Sequence, residues 1–252
     1  CGSESAMRNI RLVIEYDGGA YCGWQRQENG LSIQQVLEEC IGRMTGEAVR
    51  VIASGRTDAG VHALGQVAHF QTITRLGERN LLMGINSLLP PDIAVREVCD
   101  VPLSFHARFD ALSKVYLYRI CNRPVRSALE RNTAWFVWEP LDTAKMAEAL
   151  PVFMGTHDFS SFCSTHTDSP DHVRTILAIT ADKDTSRMIH ISIEADGFLR
   201  YMVRTIVGAL VDIGRGKCSP QELAEILALK DRRRAGLTAP PQGLFLKEVK
   251  YR

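Results

Sequence analysis

The chain has 252 residues, 45% hydrophobic and 23% charged, with a formal net charge of +1. That is the profile of an ordinary globular protein, long enough for one large core or two smaller ones. No apolar run reaches the ~18 residues of a membrane span and no secretory leader is visible, so a membrane protein is not expected.

Residues 1–7 read as a cloning remnant or a disordered end. Ile10, Leu12, Ile14 and Tyr16 alternate with polar or small neighbours, the pattern of a half-buried strand. Asp17, Gly18 and Gly19 supply turn chemistry, and a loop with Tyr21, Gly23, Trp24 and Gln25 follows. Trp24 reads as a core or cleft-rim aromatic. Ser32 and Gln35 have the spacing of a capping box, and Ile33, Val36, Leu37, Cys40, Ile41 and Met44 form one apolar stripe before Gly46. A strand is expected over 48–54 and another over 66–71. Leu81, Leu82, Ile85, Leu88 and Leu89 predict a second helix, ended by Pro90 and Pro91. Ile93, Val95 and Val98 predict a fourth strand. The order strand, helix, strand, strand, helix, strand is that of a ferredoxin-like unit, an antiparallel sheet with helices on one face.

The second half opens at Phe105-His106-Ala107-Arg108-Phe109. Lys114 to Cys121 alternates strictly, with Tyr116, Tyr118 and Ile120 on one face. Trp135 and Trp138 mark a further strand. Asp142 caps a helix carrying Met146, Ala149, Leu150 and Phe153. His157, Asp158 and Ser160 invite a hydrolase reading, which fails because they are chain neighbours with neither a nucleophile elbow nor an oxyanion loop. Residues 163–172 are polar loop. A hairpin is expected over 173–195 around Asp182-Lys183-Asp184. A long helix opens in the stretch from Phe198, with Met202, Ile206, Ala209, Leu210 and Ile213 as its buried stripe. Ser219 and Glu222 form a second capping box, and a last strand runs from Phe245 to Tyr251.

Charge is unevenly spread. Residues 1–105 hold nine Arg and no Lys against twelve acids, whereas 106–252 hold 21 basic residues against 17 acids. Two segments are candidate phosphate-facing patches, 106–131 with six basic residues against two acids and 200–234 with eight against four. Lys230 to Arg234 is a basic run that suits RNA or plain solvent. The seven cysteines are widely spaced and include no CxxC, which argues against a zinc site or a disulfide framework and for a reducing cytoplasm.

The most informative stretch is Gly55-Arg56-Thr57-Asp58-Ala59-Gly60-Val61-His62-Ala63. Gly55 and Gly60 permit sharp turning and close approach of a ligand. Arg56 and Asp58, two apart, would point the same way in an extended segment. A short GRTD alone is equally a surface turn with a local ion pair. The longer string, followed by Gly65-Gln66-Val67-Ala68-His69-Phe70, resembles the tRNA pseudouridine synthase A (TruA) family. Tyr16-Asp17-Gly18, Gly23-Trp24-Gln25-Arg26-Gln27, the Lys114-x-Tyr116-x-Tyr118 pattern, the Asp158-Phe159-x-Ser161-Phe162 stretch and Phe198-x-x-x-Met202-Val203-Arg204-x-x-Val207-Gly208 extend the resemblance over residues 8–252.

The resemblance implies an α+β fold of two ferredoxin-like (RRM-like) halves, 8–104 and 105–252, each an antiparallel sheet with helices on one face, with the active-site cleft between them. It implies that Asp58 is the catalytic carboxylate, that Arg56 helps flip the target base, that Tyr116 stacks on that base, and that Arg204 pairs with the aspartate. Phe105, His106, Ala107, Arg108, Phe109 and Arg174 are expected on the RNA side. The family contacts RNA through the segment matching 163–172, where this chain departs, with two aspartates and few basic residues. The implied reaction is isomerisation of uridine to pseudouridine at positions 38, 39 and 40 of the tRNA anticodon stem-loop by a cytoplasmic homodimer. It consumes no hydride, phosphate or water, so no cofactor and no metal is expected. The sequence accordingly carries no phosphate loop and no GxGxxG after a strand. Two other readings stay open at this level. One is an RNA-binding module without catalysis, which has no need of an acid among phosphates. The other is a synthase acting on a different RNA.

Overall fold

The structure, a computed structural model, describes residues 6–165 and 169–252. Residues 1–5 of the expected remnant, and 166–168 of the divergent loop, lie outside the described residues. The chain divides into two compact units, one of residues 1–112 with 246–252 and one of residues 113–245. Ten strands and five α-helices are described, mostly in antiparallel pairs, which places the chain in the α+β class.

Unit 1 opens with β1 (Arg8–Tyr16), where Ile10, Leu12 and Ile14 are fully buried, as the alternation predicts. Helix α1 (Ile33–Thr45) buries Ile33, Leu37, Cys40 and Ile41 and ends at Gly46. Its expected capping box forms by half. Ser32 Oγ accepts from the Gln35 N–H, but the Gln35 amide donates to Glu39 one turn ahead instead of returning to Ser32. The next strand is shorter than expected: β2 is Ile52–Ala53. Val51 is already committed to α1, its N–H donating to Glu38 and its carbonyl accepting from Gln34, so the pairing with β3 begins at residue 52. Strand β3 (His62–Thr72) begins four residues earlier than the pattern suggests. Helix α2 (Glu78–Leu88) and β4 (Ile93–Val101) complete the set.

In this unit β1 lies between β4 and β3, and β2 pairs with β3, all antiparallel. The last strand, β10 (Leu244–Lys250), returns here from the far end of the chain and runs beside β3. Leu112 N–H donates to the Lys250 carbonyl at 2.8 Å, and the Tyr251 hydroxyl donates to the Ala107 carbonyl at 2.6 Å.

Unit 2 is built on β5 (Ser113–Asn122), β7 (Gly155–Asp158), β8 (Val173–Lys183) and β9 (Met188–Ala195), in the order β5-β9-β8-β7. A short β6 (Trp135–Val137) adds to β5 in parallel. The hairpin turn falls at 184–187 rather than 182–184. The Asp184 carboxylate collects the Ser186 and Met188 N–H groups and the Ser186 hydroxyl, which lets β8 continue through Lys183. Helices α3 (Thr143–Ala149) and α4 (Met202–Gly214) pack on each other, and α5 (Pro220–Leu229) follows. Helix α4 starts at Met202 because Tyr201 adopts a left-handed conformation, φ 66°, which cannot extend the helix backwards. The capping box of α5 is complete: Ser219 Oγ accepts from the Glu222 N–H and the Glu222 carboxylate accepts from the Ser219 N–H.

Candidate active site

In unit 1 the loop between β2 and β3 covers residues 54–61, with His62 and Ala63 already in the strand. Across Arg56, Thr57 and Asp58 the burial runs exposed, buried, half-buried. Thr57 is the inward residue and sets the other two. Its hydroxyl lies 2.8 Å from the Tyr16 phenol in a fully buried pair, and its carbonyl accepts from the Trp24 N–H at 3.0 Å. Trp24 is 3% exposed, so it is a core residue rather than a rim one. Burial pushes the Tyr16 phenol up to about 12, which keeps it a neutral hydrogen-bonding group at any physiological pH.

Gln66, fully buried on β3, braces the start of the loop. Its amide donates to the Gly55 carbonyl at 2.9 Å and its oxygen accepts from the Ser54 hydroxyl at 2.7 Å. After Asp58 the chain turns tightly, with Val61 N–H donating to the Asp58 carbonyl at 3.1 Å and Gly60 at φ 76°. Gly55 has no positive φ, so of the two loop glycines Gly60 alone uses the left-handed region. The far side of the turn is seated on Gly18, where a Cβ would stand 2.0 Å from the Val61 carbonyl oxygen. His62 Nδ1 lies 3.1 Å from the Gly18 nitrogen and 3.0 Å from Asp17 Oδ1. Nothing in the sequence pattern marks Tyr16, Thr57 and Gln66 as supports of the aspartate, because their contacts span up to 41 residues.

The 105–109 segment also packs in unit 1. Asn9 donates to the Phe105 carbonyl, and the Ala107 N–H donates to His69 Nδ1 at 3.2 Å. Burial lowers the His69 pKa, and the neighbouring His106 adds to this. His106 stacks on Phe109 with ring centroids 4.2 Å apart, while Phe109 is 74% exposed and the Arg108 guanidinium lies 5.8 Å from its ring. An exposed aromatic beside a cation is a surface suited to bases and phosphates.

In unit 2, Tyr116 is buried on β5 with its ring edge-on to Phe198, centroids 4.9 Å apart. Tyr118, on the same face, donates to the Pro240 carbonyl at 2.7 Å. Burial raises its pKa, and the charge of Arg204 opposes that shift. Arg204 sits in the first turn of α4, where the helix dipole disfavours a cation. Two local features offset this: its Nε donates to the Ala239 carbonyl at 2.7 Å, and its guanidinium lies 4.9 Å from the Tyr201 ring. The Ala239 N–H returns the bond to the Arg204 carbonyl at 3.0 Å. This reciprocal pair needs close contact, which Gly208 supplies: a Cβ there would stand 1.9 Å from the Leu237 carbonyl oxygen.

Other basic and polar groups also bond within the fold. Arg174 donates to the Asp171 and Val173 carbonyls and to Ser169 Oγ. In the 230–234 run, Arg232 bonds Gly236 and Thr238, and Arg233 pairs with Asp231. Asp158 does not meet His157. It accepts from the Ser160 hydroxyl and pairs with Lys230 at 2.9 Å, while His172 Nδ1 lies 2.8 Å from Ser160 Oγ. Burial pushes its carboxyl up, but Ser160 and Lys230 outweigh that and hold it at about 2. The cluster is a brace between β7, the start of β8 and the end of α5. Among the described residues no group of three or more His, Cys, Asp or Glu side chains is placed to hold a metal ion, and no helix is long and apolar enough to cross a membrane.

Comparison with known proteins bears on the whole chain. A family profile described as tRNA pseudouridine synthase matches residues 12–110 and 149–252. The tRNA pseudouridine synthase A of Geotalea daltonii is 48% identical over 245 residues, covering 97% of this chain and 100% of the relative. That of a Thermoanaerobacter species is 46% identical, with the same two coverages, and that of Myxococcus xanthus is 44% identical over 98% of this chain and 93% of its own. With the Asp58 loop and the Arg204 helix inside the profile's matched segments and full-length relatives at 44–48% identity, the chain belongs to the tRNA pseudouridine synthase family.

Proposed function

We propose that the chain isomerises uridine to pseudouridine in tRNA, at positions 38, 39 and 40 of the anticodon stem-loop. The observation that carries this reading is the Asp58 loop: a carboxylate on an eight-residue connection braced by Tyr16, Trp24 and Gln66, in a chain with full-length synthase relatives. In the reaction the bond from uracil N1 to the ribose C1′ breaks, the base turns, and C5 bonds to C1′. The C5 proton leaves and N1 gains one, so the composition is unchanged and no cofactor is consumed. Asp58 supplies the carboxylate, which can add to the substrate or remove the ribose 2′ proton. Tyr116 gives the extruded base a flat partner. On the family resemblance Arg204 is assigned as the cation that favours an ionised Asp58. Arg56 fills the space the base leaves or clamps its phosphate. Phe105 to Phe109 and Arg174 hold the RNA alongside, with Arg108 on the backbone.

The finer fold reading, two ferredoxin-like halves with the catalytic loop in 8–104 and the stacking tyrosine and basic patches in 105–252, draws its support from unit 1. There the strand order β4-β1-β3-β2, with a helix after β1 and after β3, is that of the split βαβ plan. On the family resemblance the protein is read as a cytoplasmic homodimer. The test is tritium release from unmodified tRNA carrying 5-tritiated uridine, since the C5 hydrogen leaves only when C5 becomes the glycosidic carbon. Wild type is expected to release tritium, and Asp58→Ala to lose release while still binding. Transcripts with a single uridine at 38, 39 or 40 test the sites one at a time. Binding by wild type with no release from any tRNA would overturn the assignment.

A further inference from the structure

The sequence singles out 106–131 as basic, but its cations part company in the fold. Arg108 lies in unit 1, Lys114 starts β5, and Arg119 pairs with Glu130 at 2.7 Å. The remaining three, Arg123, Arg126 and Arg131, lie in the connection after the other end of β5, about 20 Å along the strand from Tyr116 at ~3.3 Å per residue, where Arg123 donates to the Val125 carbonyl and Arg131 to the Ala128 carbonyl.

That end is knotted together by one buried residue. Asn122 donates its side-chain amide to the Val137 and Glu139 carbonyls, and its oxygen accepts from the Leu141 N–H and from Lys183 Nζ at 3.3 Å. Its own N–H donates to the Arg187 carbonyl at 3.1 Å. The β5–β6 connection, the residues after β6 and the β8–β9 turn therefore share one surface. The connection is itself fixed, because the Glu130 carboxylate holds both Arg119 and the Thr133 hydroxyl.

Charge and apolar area coincide there. In these connections Arg123, Arg126, Arg131, Lys183 and Arg187 outnumber Asp182 and Asp184, since Glu130 is held by Arg119 and Glu139 by Arg215 at 2.9 Å. Trp138, which follows β6 next to the end of β5, is 64% exposed. Exposed Arg126 and Arg131, half-buried Arg123 and an exposed flat aromatic on the same end of the unit match phosphates and bases. Val125 and Leu129 in the same connection are also exposed, 72% and 89%, which makes a second copy of the chain the competing occupant, and the excess of one sign is what argues against it.

We infer that this end of unit 2, around Arg123, Arg126, Arg131 and Trp138, is a second RNA-binding surface that grips the tRNA backbone away from the reacting uridine. This rests on the tRNA reading above. The surface positions substrate and takes no part in the chemistry.

The test is the salt dependence of tRNA binding for the combined Arg123→Ala, Arg126→Ala and Arg131→Ala variant. Losing three phosphate contacts should reduce the slope of log K against log salt by about 2–3 and weaken binding roughly 10- to 100-fold. Single-turnover tritium release at saturating enzyme should keep its wild-type rate, because the loss is one of binding alone. Trp138→Ala should weaken binding about tenfold with the slope unchanged. A wild-type slope in the triple variant overturns the inference. So does a fall in molar mass by light scattering for that variant, which would assign the face to a second copy of the chain. Loss of release from wild type itself would strike the parent reading instead, and the binding slopes would still decide this one.

Discussion

Unit 1 holds Asp58 on a loop whose neighbouring residues do the anchoring, whereas unit 2 holds Arg204 on a helix turn where the residue anchors itself. Around Asp58 the fixed points are Gly55, Thr57 and Val61, tied to Gln66, to Tyr16 with Trp24, and to the Gly18 seat. Arg204 makes its own bonds to Ala239 through both guanidinium and carbonyl. A group positioned through its neighbours can be misplaced without being touched. Both arrangements share one device, a glycine onto which a carbonyl closes, at Gly18 and at Gly208.

The largest expected effect removes the anchored group and leaves its anchors. Asp58→Ala should lower single-turnover release by at least about 10³-fold, the scale of a lost catalytic carboxylate, with the unfolding midpoint nearly unchanged. A stability loss of several kcal/mol would mean that Asp58 also holds the loop, and the contrast with Arg204 would fail. Next come the glycines. Gly18→Ala and Gly208→Ala each place a methyl about 2 Å from a backbone oxygen, which should cost about 3 kcal/mol or more in urea unfolding. If one is tolerated, the carbonyl opposite it can yield and that seat does not fix its unit.

A subtler cut is Tyr16→Phe, which strips the Thr57 hydroxyl of its phenol inside the core. Stability should fall by about 1–2 kcal/mol, and the rate at saturating tRNA by roughly tenfold, as for a small misplacement of the reacting group. An unchanged rate with lowered stability would make Tyr16 a core residue only. The smallest effect lies far from either group. The folded Asp158 carboxyl is held at about 2, below its ordinary 3.8. A depressed carboxyl adds stability above its unfolded pKa and loses it as pH falls toward the folded one. Asp158→Asn should therefore cost about 1 kcal/mol at neutral pH, and the gap from wild type should close between about pH 4 and pH 2 in unfolding titrations.

Local patterns were readable where local forces decide. The alternation of Ile10, Leu12 and Ile14 gives β1, the stripe from Ile33 gives α1, and the box at Ser219 and Glu222 gives the start of α5. The same box written with Gln35 closes only halfway, because an amide with Glu39 one turn ahead has a better partner than the backbone behind it. The sequence reading of β2 ran too long because Val51 spends its backbone on side chains of α1, a contact across 13 residues that periodicity does not encode. The Asp58 loop was legible as a motif, and its bracing by Tyr16 and Gln66 was not, since buried hydroxyls and amides have no spacing signature. The basic run at 230–234 shows the same limit: composition counts arginines, and does not show that Arg232 bonds Gly236 and Arg233 pairs with Asp231.

The return of β10 to β3 carries a consequence for biosynthesis. Most of unit 1 is made before unit 2, yet the strand bearing Lys247 and Lys250, and the tyrosine that bonds Ala107, are made only after all of 113–245. Until then the β3 edge beside Gly65 is exposed to water, chaperones and other nascent chains. The carboxylate-bearing unit is thus begun before its neighbour and finished after it.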